Sequence, residues 1–475
     1  MSSLILGPII GGLSAEGVNL WGRADGAGIL HGWIGQQADL GDARLEATSL
    51  PLDAENGFAG VAPVRGLSPN TTYHYALTLE ATPPGPGRKP FASFKTTPPD
   101  GERVPFAFTF GSCFRPDGEQ GGQIFNAIEQ RRPIDELRFI LLIGDQIYAD
   151  AFDRNGAGKI CCALHEYRMV YAYTWSRPPF RHLLENLPAF MTLDDHEVDD
   201  DWTWTDRERQ FAQIPVWDRA IRWLQRRPPD ERRIPRQRVQ DALQAYWEHQ
   251  GMHAPHYQLP PLLNAMGQYA LPTGDPGSLA YTFTFGAAAF FVLDTRTMRV
   301  KSREERTMLG DGQWLALQSW LLSVKDRYPV KFIVSSCALL FDLWLDLADD
   351  RWKGFKRERE RLLHFLAANG IEDVYILSGD LHSAHAVRVN LYGPEQRDLP
   401  LWEFCSTPFD QDTNWLSRYT YRPLRSGSVK EQQCLFVIDE KNFGVVEVGY
   451  PVGEKPGVIF KVYGESGKLL TEAGY

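Results

Sequence analysis

The chain has 475 residues, 43% of them apolar, with a formal net charge of −10. That length supports a large core and two or three domains rather than one. The acidic balance argues against nucleic acid or an anionic membrane as a general partner, but not against an anionic substrate, because bound metal ions invert a local field.

Residues 1–98 read as β-structure. Tyr73, Tyr75, Leu77 and Leu79 alternate with His74, Ala76, Thr78 and Glu80, which is strand periodicity. Gly-, Pro- and Asn-rich turns such as LSPNTT and TPPGPGRKP cut the segment into short pieces. A small all-β sandwich of immunoglobulin/fibronectin type is expected there. The polar run TTPPDGERVP then serves as a linker.

From residue 99 to 475 the texture changes. Apolar runs recur at FAFTF, FILLI, AFMTL, AAFFVL, KFIVSS and DVYILS, and helical patterns such as Trp314, Leu317, Trp320 and Leu321 separate several of them. Strands alternating with helices indicate an α/β domain with buried sheets. An Arg- and Trp-rich stretch at about 202–268, holding Trp202, Trp204, Trp217, Trp223 and Trp247, reads as a helical insertion, either a cap beside the site or a surface excursion. The last forty residues return to strand alternation in CLFVIDE, NFGVVEVGY and GVIFKVYG.

Six cysteines at 113, 161, 162, 337, 405 and 434 form neither a disulfide framework nor a zinc-ribbon spacing. The opening MSSLILGPIIGG has no basic region and no sustained apolar core, so no signal peptide is expected and the chain as given reads as cytoplasmic. No apolar run reaches the ~18 residues of a membrane-spanning helix.

Four apolar runs end in side chains that bind metals. FTFGS leads to Cys113, and Arg115 follows two residues on, a cation suited to a phosphate oxygen. FILLIG leads to Asp145, with Tyr148 three residues later; a carboxylate can bridge cations and a phenolate suits Fe(III). AFMTL opens directly into Asp194, Asp195, His196 and Glu197, a density of carboxylates that repels itself unless a cation intervenes. VYILSG leads to Asp380 and His382, alternate residues that face one way on an extended backbone. Each motif alone also fits a plain reading: a capping Asp, a buried structural cysteine, a solvated acidic loop, a loop histidine.

The ordered set, together with LDTR at 293–296, MLGDGQWLALQSWL and DRWKGF at 350–355, resembles the PhoD-like alkaline phosphatase branch of the calcineurin-like metallophosphatase superfamily. The resemblance spans nearly the whole chain. It implies a four-layer α+β fold, a β-sandwich flanked by helices with a binuclear or multinuclear site at one edge. It implies that Cys113, Asp145, Tyr148 and His382 hold a first metal, with Asp145 bridging to a second metal held by Asp195 and Asp380. It also implies that His196 contacts phosphate or protonates the leaving oxygen. Fe(III) plus Ca(II) are the metals expected, other divalent ions being possible occupants, and Arg115 and His196 the catalytic side chains. The activity expected is hydrolysis of phosphomonoesters by a metal-activated water or hydroxide. Alternatives are a phosphodiesterase or phospholipase-type hydrolase on the same site, on small or polymeric phosphoesters, and a non-catalytic binding protein on this scaffold. Specific nucleic-acid binding is not expected, and the oligomeric state is left open. Two departures stand out. Ser335, Ser336 and Cys337 occupy the region where relatives supply a His or Gln ligand, and no export signal is visible although many relatives are exported.

Overall fold

The computed structural model describes residues 2–85, 90–203, 235–270, 278–302, 306–344 and 350–474. Two small antiparallel sheets come first. One joins Leu4–Gly11, Gly17–Ala24 and Ala59–Arg65; the other joins Arg44–Thr48, His31–Gly35, Thr72–Thr78 and Ser93–Lys95. Tyr73, Tyr75 and Leu77 are buried and their alternates are not, as the period-two pattern requires. These sheets also lean on the rest of the chain: Trp21 Nε1 donates to Glu248 O at 2.8 Å and Tyr75 OH to Glu185 O at 2.7 Å.

The larger part is a mixed α/β structure built on two sheets. The six-stranded sheet runs Ala189–Thr192, Leu137–Ile143, Phe106–Gly111, Asn442–Gly449, Gly457–Gly464, Leu469–Gly474. The seven-stranded sheet runs Tyr281–Phe285, Ala288–Val292, Val330–Cys337, Val374–Gly379, Asp398–Cys405, Ala384–Tyr392, Val429–Ile438. Phenylalanines from both inner faces interlock: the Phe108 ring stacks on Phe139 at 4.8 Å and meets Phe332 edge-on at 5.4 Å, and Phe190 stacks on Phe283 at 3.8 Å. Each such ring stabilises the fold by about 1.5–3 kcal/mol through burial alone.

Helices cover the outer faces. Gln123–Arg131, Leu164–Trp175, Pro178–Asn186 and Pro235–Tyr246 pack with Ile140, Leu142 and Met191. Gly310–Val324 and Lys356–Ala368 pack with Phe291, Ile333 and Ile376. The order is thus helices, sheet, sheet, helices.

The helical character expected over 202–268 is seen only in part. Helix Pro235–Tyr246 continues as a π-turn through Trp247–Gly251, and residues 252–270 then form turns and loop. Pro255, Pro260 and Pro261 account for the stop, since proline removes a donor and clashes with the preceding turn. Trp204, Trp217, Ile221, Trp223 and Leu224 lie outside the described residues.

Candidate metal centre

In the six-stranded sheet one flank is parallel, Phe106–Gly111 with Leu137–Ile143 and Ala189–Thr192, and in the seven-stranded sheet the inner strands Ala288–Val292, Val330–Cys337 and Val374–Gly379 are parallel. Their carboxyl ends therefore open at one edge, the usual place for a site in such sheets. Cys113, Asp145, Asp194 and Asp380 follow these strand ends within two residues.

The backbone turns hard there. Cys113, Asp145, Asp380 and His382 all have left-handed φ, at 65°, 56°, 65° and 56°. Non-glycine residues adopt this region rarely, and it clusters where a side chain must be aimed. The glycines before the two aspartates are sterically required. A Cβ on Gly144, whose φ is 106°, would sit 2.5 Å from Asp194 Cβ, and one on Gly379 would sit 2.4 Å from Ser112 Oγ.

One corner of the site gathers Cys113, Asp145, Tyr148 and His382. The Cys113 thiol donates to Asp145 Oδ2 at 3.3 Å, and Tyr148 OH lies 3.4 Å from His382 Nε2. Burial pushes the Cys113 thiol up to about 12 and the Tyr148 phenol well above its usual range, with neighbouring negative charge adding to the latter. Burial likewise lowers His382 to about 4, so its ring is neutral, the form that binds metals. Without a nearby cation, the thiol and phenol stay protonated.

The other corner is ionic. Arg296, fully buried, makes paired hydrogen bonds to Asp350 at 2.7 and 2.8 Å, donates to Asp194, and lies 3.5 Å from Asp195. Arg299 also meets Asp350. Burial alone would raise Asp195, yet Arg296 and then His196 outweigh it and hold that carboxyl below its usual range. At Asp201 burial and then Asp350 outweigh the nearby Lys301 and push the carboxyl up to about 8.

Between the corners stands His196. Its Nδ1 is 2.9 Å from both Asp150 oxygens, and its ring stacks on Tyr148 with centroids 4.1 Å apart. Burial favours the neutral ring, but Asp150, Asp195 and Asp145 outweigh it and raise His196 well above its usual value. Beneath lies Glu197, fully buried, whose carboxylate accepts the backbone N–H groups of Gln146, Asp194 and Asp145 at 2.7, 2.9 and 3.1 Å. It fastens two adjacent strand ends together.

Among the residues expected to act, the donor atoms of Asp145, Asp195 and His196 lie within 4.8 Å of one another. Asp380 instead accepts from Arg351 Nε at 2.6 Å, while its own N–H donates to Ser112 Oγ at 3.1 Å. Arg115 sits at the edge, its guanidinium 5.9 Å from the Tyr148 centroid and bonded to the exposed Asp153 at 2.7 Å. At the departure noted in sequence, Ser336 Oγ donates to Asp194 Oδ1 at 2.8 Å, and Ser335 Oγ receives Trp352 Nε1 at 3.1 Å. His385 lies off the centre, stacked on Phe341 at 4.0 Å.

Sequence reasoning gave no role to Asp150, Asp201, Asp350, Arg296 or Arg351. Asp195, Asp201 and Asp350 form a second group with donor atoms within 4.8 Å. The signals available were the unusual acid count after Asp195, the LDTR string that ends in Arg296 and the DR pair at 350–351.

These residues fit the metals that the resemblance implies. Asp195 Oδ1, buried and central, has no hydrogen-bond partner among the described residues. The donor set of thiol, phenol, imidazole and carboxylates suits a hard, highly charged cation next to an oxygen-binding one, and differs from a structural zinc site.

Known proteins agree with this architecture. A PhoD-like phosphatase family model matches residues 106–451. Alkaline phosphatase D of Bacillus subtilis (strain 168) is 25% identical over 361 residues, 69% of this chain and 53% of that protein, so the chain spans about half the length of that curated relative. The solved structure of PhoD superposes with a TM-score of 0.67 at 19% identity, covering 98% of this chain and 92% of that one. A purple acid phosphatase, PPD1, from yellow lupin (Lupinus luteus) seeds superposes with a TM-score of 0.59 at 12% identity, covering 98% and 73%. The last two likenesses speak to the fold. With the family model covering most of its length, the chain belongs to the PhoD-like phosphatase family.

Proposed function

We propose that this chain is a metal-dependent phosphoester hydrolase acting on phosphomonoesters. The observation that carries this reading is the convergence of buried and half-buried donors, four of them on left-handed backbone, at the carboxyl ends of parallel strands in two mixed sheets. Cys113, Asp145, Tyr148 and His382 would hold the first cation, inferred to be Fe(III), and Asp195 and Asp380 the second, inferred to be Ca(II), with Asp145 shared. Bound cations supply Lewis acidity, drawing charge from phosphate oxygens and acidifying a water.

The protein's own side chains do the rest. Asp150 holds the His196 ring through Nδ1 and keeps it protonated, which leaves the Nε2 proton for the departing oxygen. Tyr148 fixes the other face of that ring. Arg115, at the mouth, supplies a cation for a phosphate oxygen once it leaves Asp153.

The test is a phosphoester panel run alongside elemental analysis of protein purified without chelator. Turnover of a mononitrophenyl phosphate with bound iron and calcium is expected. Cleavage of only the bis-nitrophenyl diester would replace the monoesterase reading with a diesterase. An inert protein under every supplied metal would overturn hydrolysis and leave a binding protein.

A further inference from the structure

Helix Pro235–Tyr246 ends in a π-turn at Trp247–Gly251, a rare geometry that clusters at functional sites. Glu248, His249 and Gln250 are fully buried in it. A Cβ on Gly251 would sit 2.7 Å from Trp247 Cε3, so the turn closes on a residue without a side chain. Gln250 Nε2 donates to Tyr171 OH at 3.0 Å and to Glu197 Oε1 at 3.3 Å. Its carbonyl Oε1 is buried with no hydrogen-bond partner among the described residues. Leaving a buried carbonyl unpaired costs stability, so the side chain is held there for its two N–H groups.

Those N–H groups reach the metal centre through one carboxylate. Glu197 accepts the amides of Gln146, Asp194 and Asp145, and Gln250 is its one side-chain donor among the described residues. Gln250 thereby sets the carboxylate that pins Asp145 at its left-handed φ of 56°. The far side of the π-turn is tied to the N-terminal sheets. Trp21 Nε1 donates to Glu248 O at 2.8 Å, and Arg23 Nη1 lies 3.2 Å from His249 Nε2. Burial and then the Arg23 charge hold His249 well below its usual range, so its ring is neutral. Its Nδ1 donates to Ala245 O at 2.8 Å, which leaves Nε2 to accept from Arg23. The same ring stacks on Tyr171 with centroids 4.2 Å apart and planes 4° apart, which fixes the hydroxyl that Gln250 meets.

We propose that Gln250 is a positioning residue of the metal centre, coupling the N-terminal sheets, through the π-turn and Glu197, to the aim of Asp145. This coupling rests on the ligand role proposed for Asp145 only where metal affinity is read, since amide exchange reports the strand ends directly. The experiment is hydrogen–deuterium exchange and metal titration on the full chain. Gln250→Met keeps the bulk and removes the donors. It should speed exchange at the Asp145, Gln146 and Asp194 amides about tenfold and weaken the first cation about tenfold. At limiting metal kcat should fall with KM unchanged, and excess metal should restore turnover. Tyr171→Phe and Trp21→Phe should move exchange and affinity the same way by a few-fold. Tyr75→Phe breaks a bond between the same sheets and the body, from Tyr75 OH to Glu185 O, away from this path. It should leave strand-end exchange and metal affinity at the parent's values.

Parental exchange and metal affinity in Gln250→Met would overturn the proposal. Equal acceleration in Tyr75→Phe would do the same, because it would mark a general loosening. Should Gln250→Met not fold, unmoved strand-end exchange in both Tyr171→Phe and Trp21→Phe would overturn it. An unaltered chain that turns over no nitrophenyl phosphate would count against hydrolysis alone, with amide exchange still deciding the positioning role.

Discussion

The two corners of the metal centre solve the cost of burying charge in opposite ways. Around Cys113, Tyr148 and His382 the protein keeps its donors neutral: a thiol raised to about 12, a phenol raised well above its usual range, an imidazole lowered to about 4. Around Asp195 and Asp350 it keeps the carboxylates ionised and brings its own cations, Arg296 and Arg299. The first corner is chemically incomplete until a cation arrives, whereas at the second Asp195 and Asp350 are already balanced and Asp194 and Asp201 are pushed up to about 7 and about 8. A highly charged ion is therefore expected to be retained at the first corner and a more exchangeable one at the second.

The largest effect should come from the residue both corners share. Asp145→Ala should remove the carboxylate proposed to bridge the two cations and cut kcat by about three orders of magnitude or more. Elemental analysis should show loss of bound metal alongside, and normal turnover would break the comparison at its root.

Arg296→Met attacks the self-balanced corner. Asp194 and Asp350 would lose a buried partner, at a cost of about 3–5 kcal/mol. Denaturant unfolding measures this, and saturating divalent metal should restore part of the loss. An unfolding midpoint equal to the parent's would show that Arg296 does not neutralise that corner.

Cys113→Ser attacks the other side without touching charge balance at Asp350. It should weaken metal binding roughly tenfold or more, since an alcohol ionises far less readily than a thiol. Stability of the metal-free form should barely move. The smallest effect is expected from Tyr148→Phe: a few-fold loss of turnover and disappearance of any phenolate-to-iron colour. An iron-loaded variant that keeps its visible band would remove Tyr148 from the ligand set.

What the sequence made readable follows from locality. Strand, turn glycine and donor are contiguous in FILLIGD and VYILSGD, so the strand-end positions could be named from pattern and the buried sheets from alternation, while the four layers followed from the family resemblance. Charge partners come from elsewhere in the chain. Arg296 reaches Asp350 across 54 positions and Arg351 reaches Asp380 across 29, with no local periodicity to announce either pair. Glu197 was visible as a letter in DDHE, but its hold on the Asp145 and Gln146 amides depends on two strand ends lying side by side.

The left-handed backbone at the centre also bears on how such a site changes over evolution. Aspartate and histidine visit that region more readily than most side chains, so Asp145, Asp380 and His382 suit their posts. Cysteine has no such tendency, and Cys113 holds φ at 65° against its own preference. What cysteine offers at that position is its sulfur rather than an ease of conformation. Drift toward Cys113→Asp should relax the main chain while surrendering the thiolate, so a lineage that stopped needing a soft donor would be expected to slide to carboxylate easily and return with difficulty.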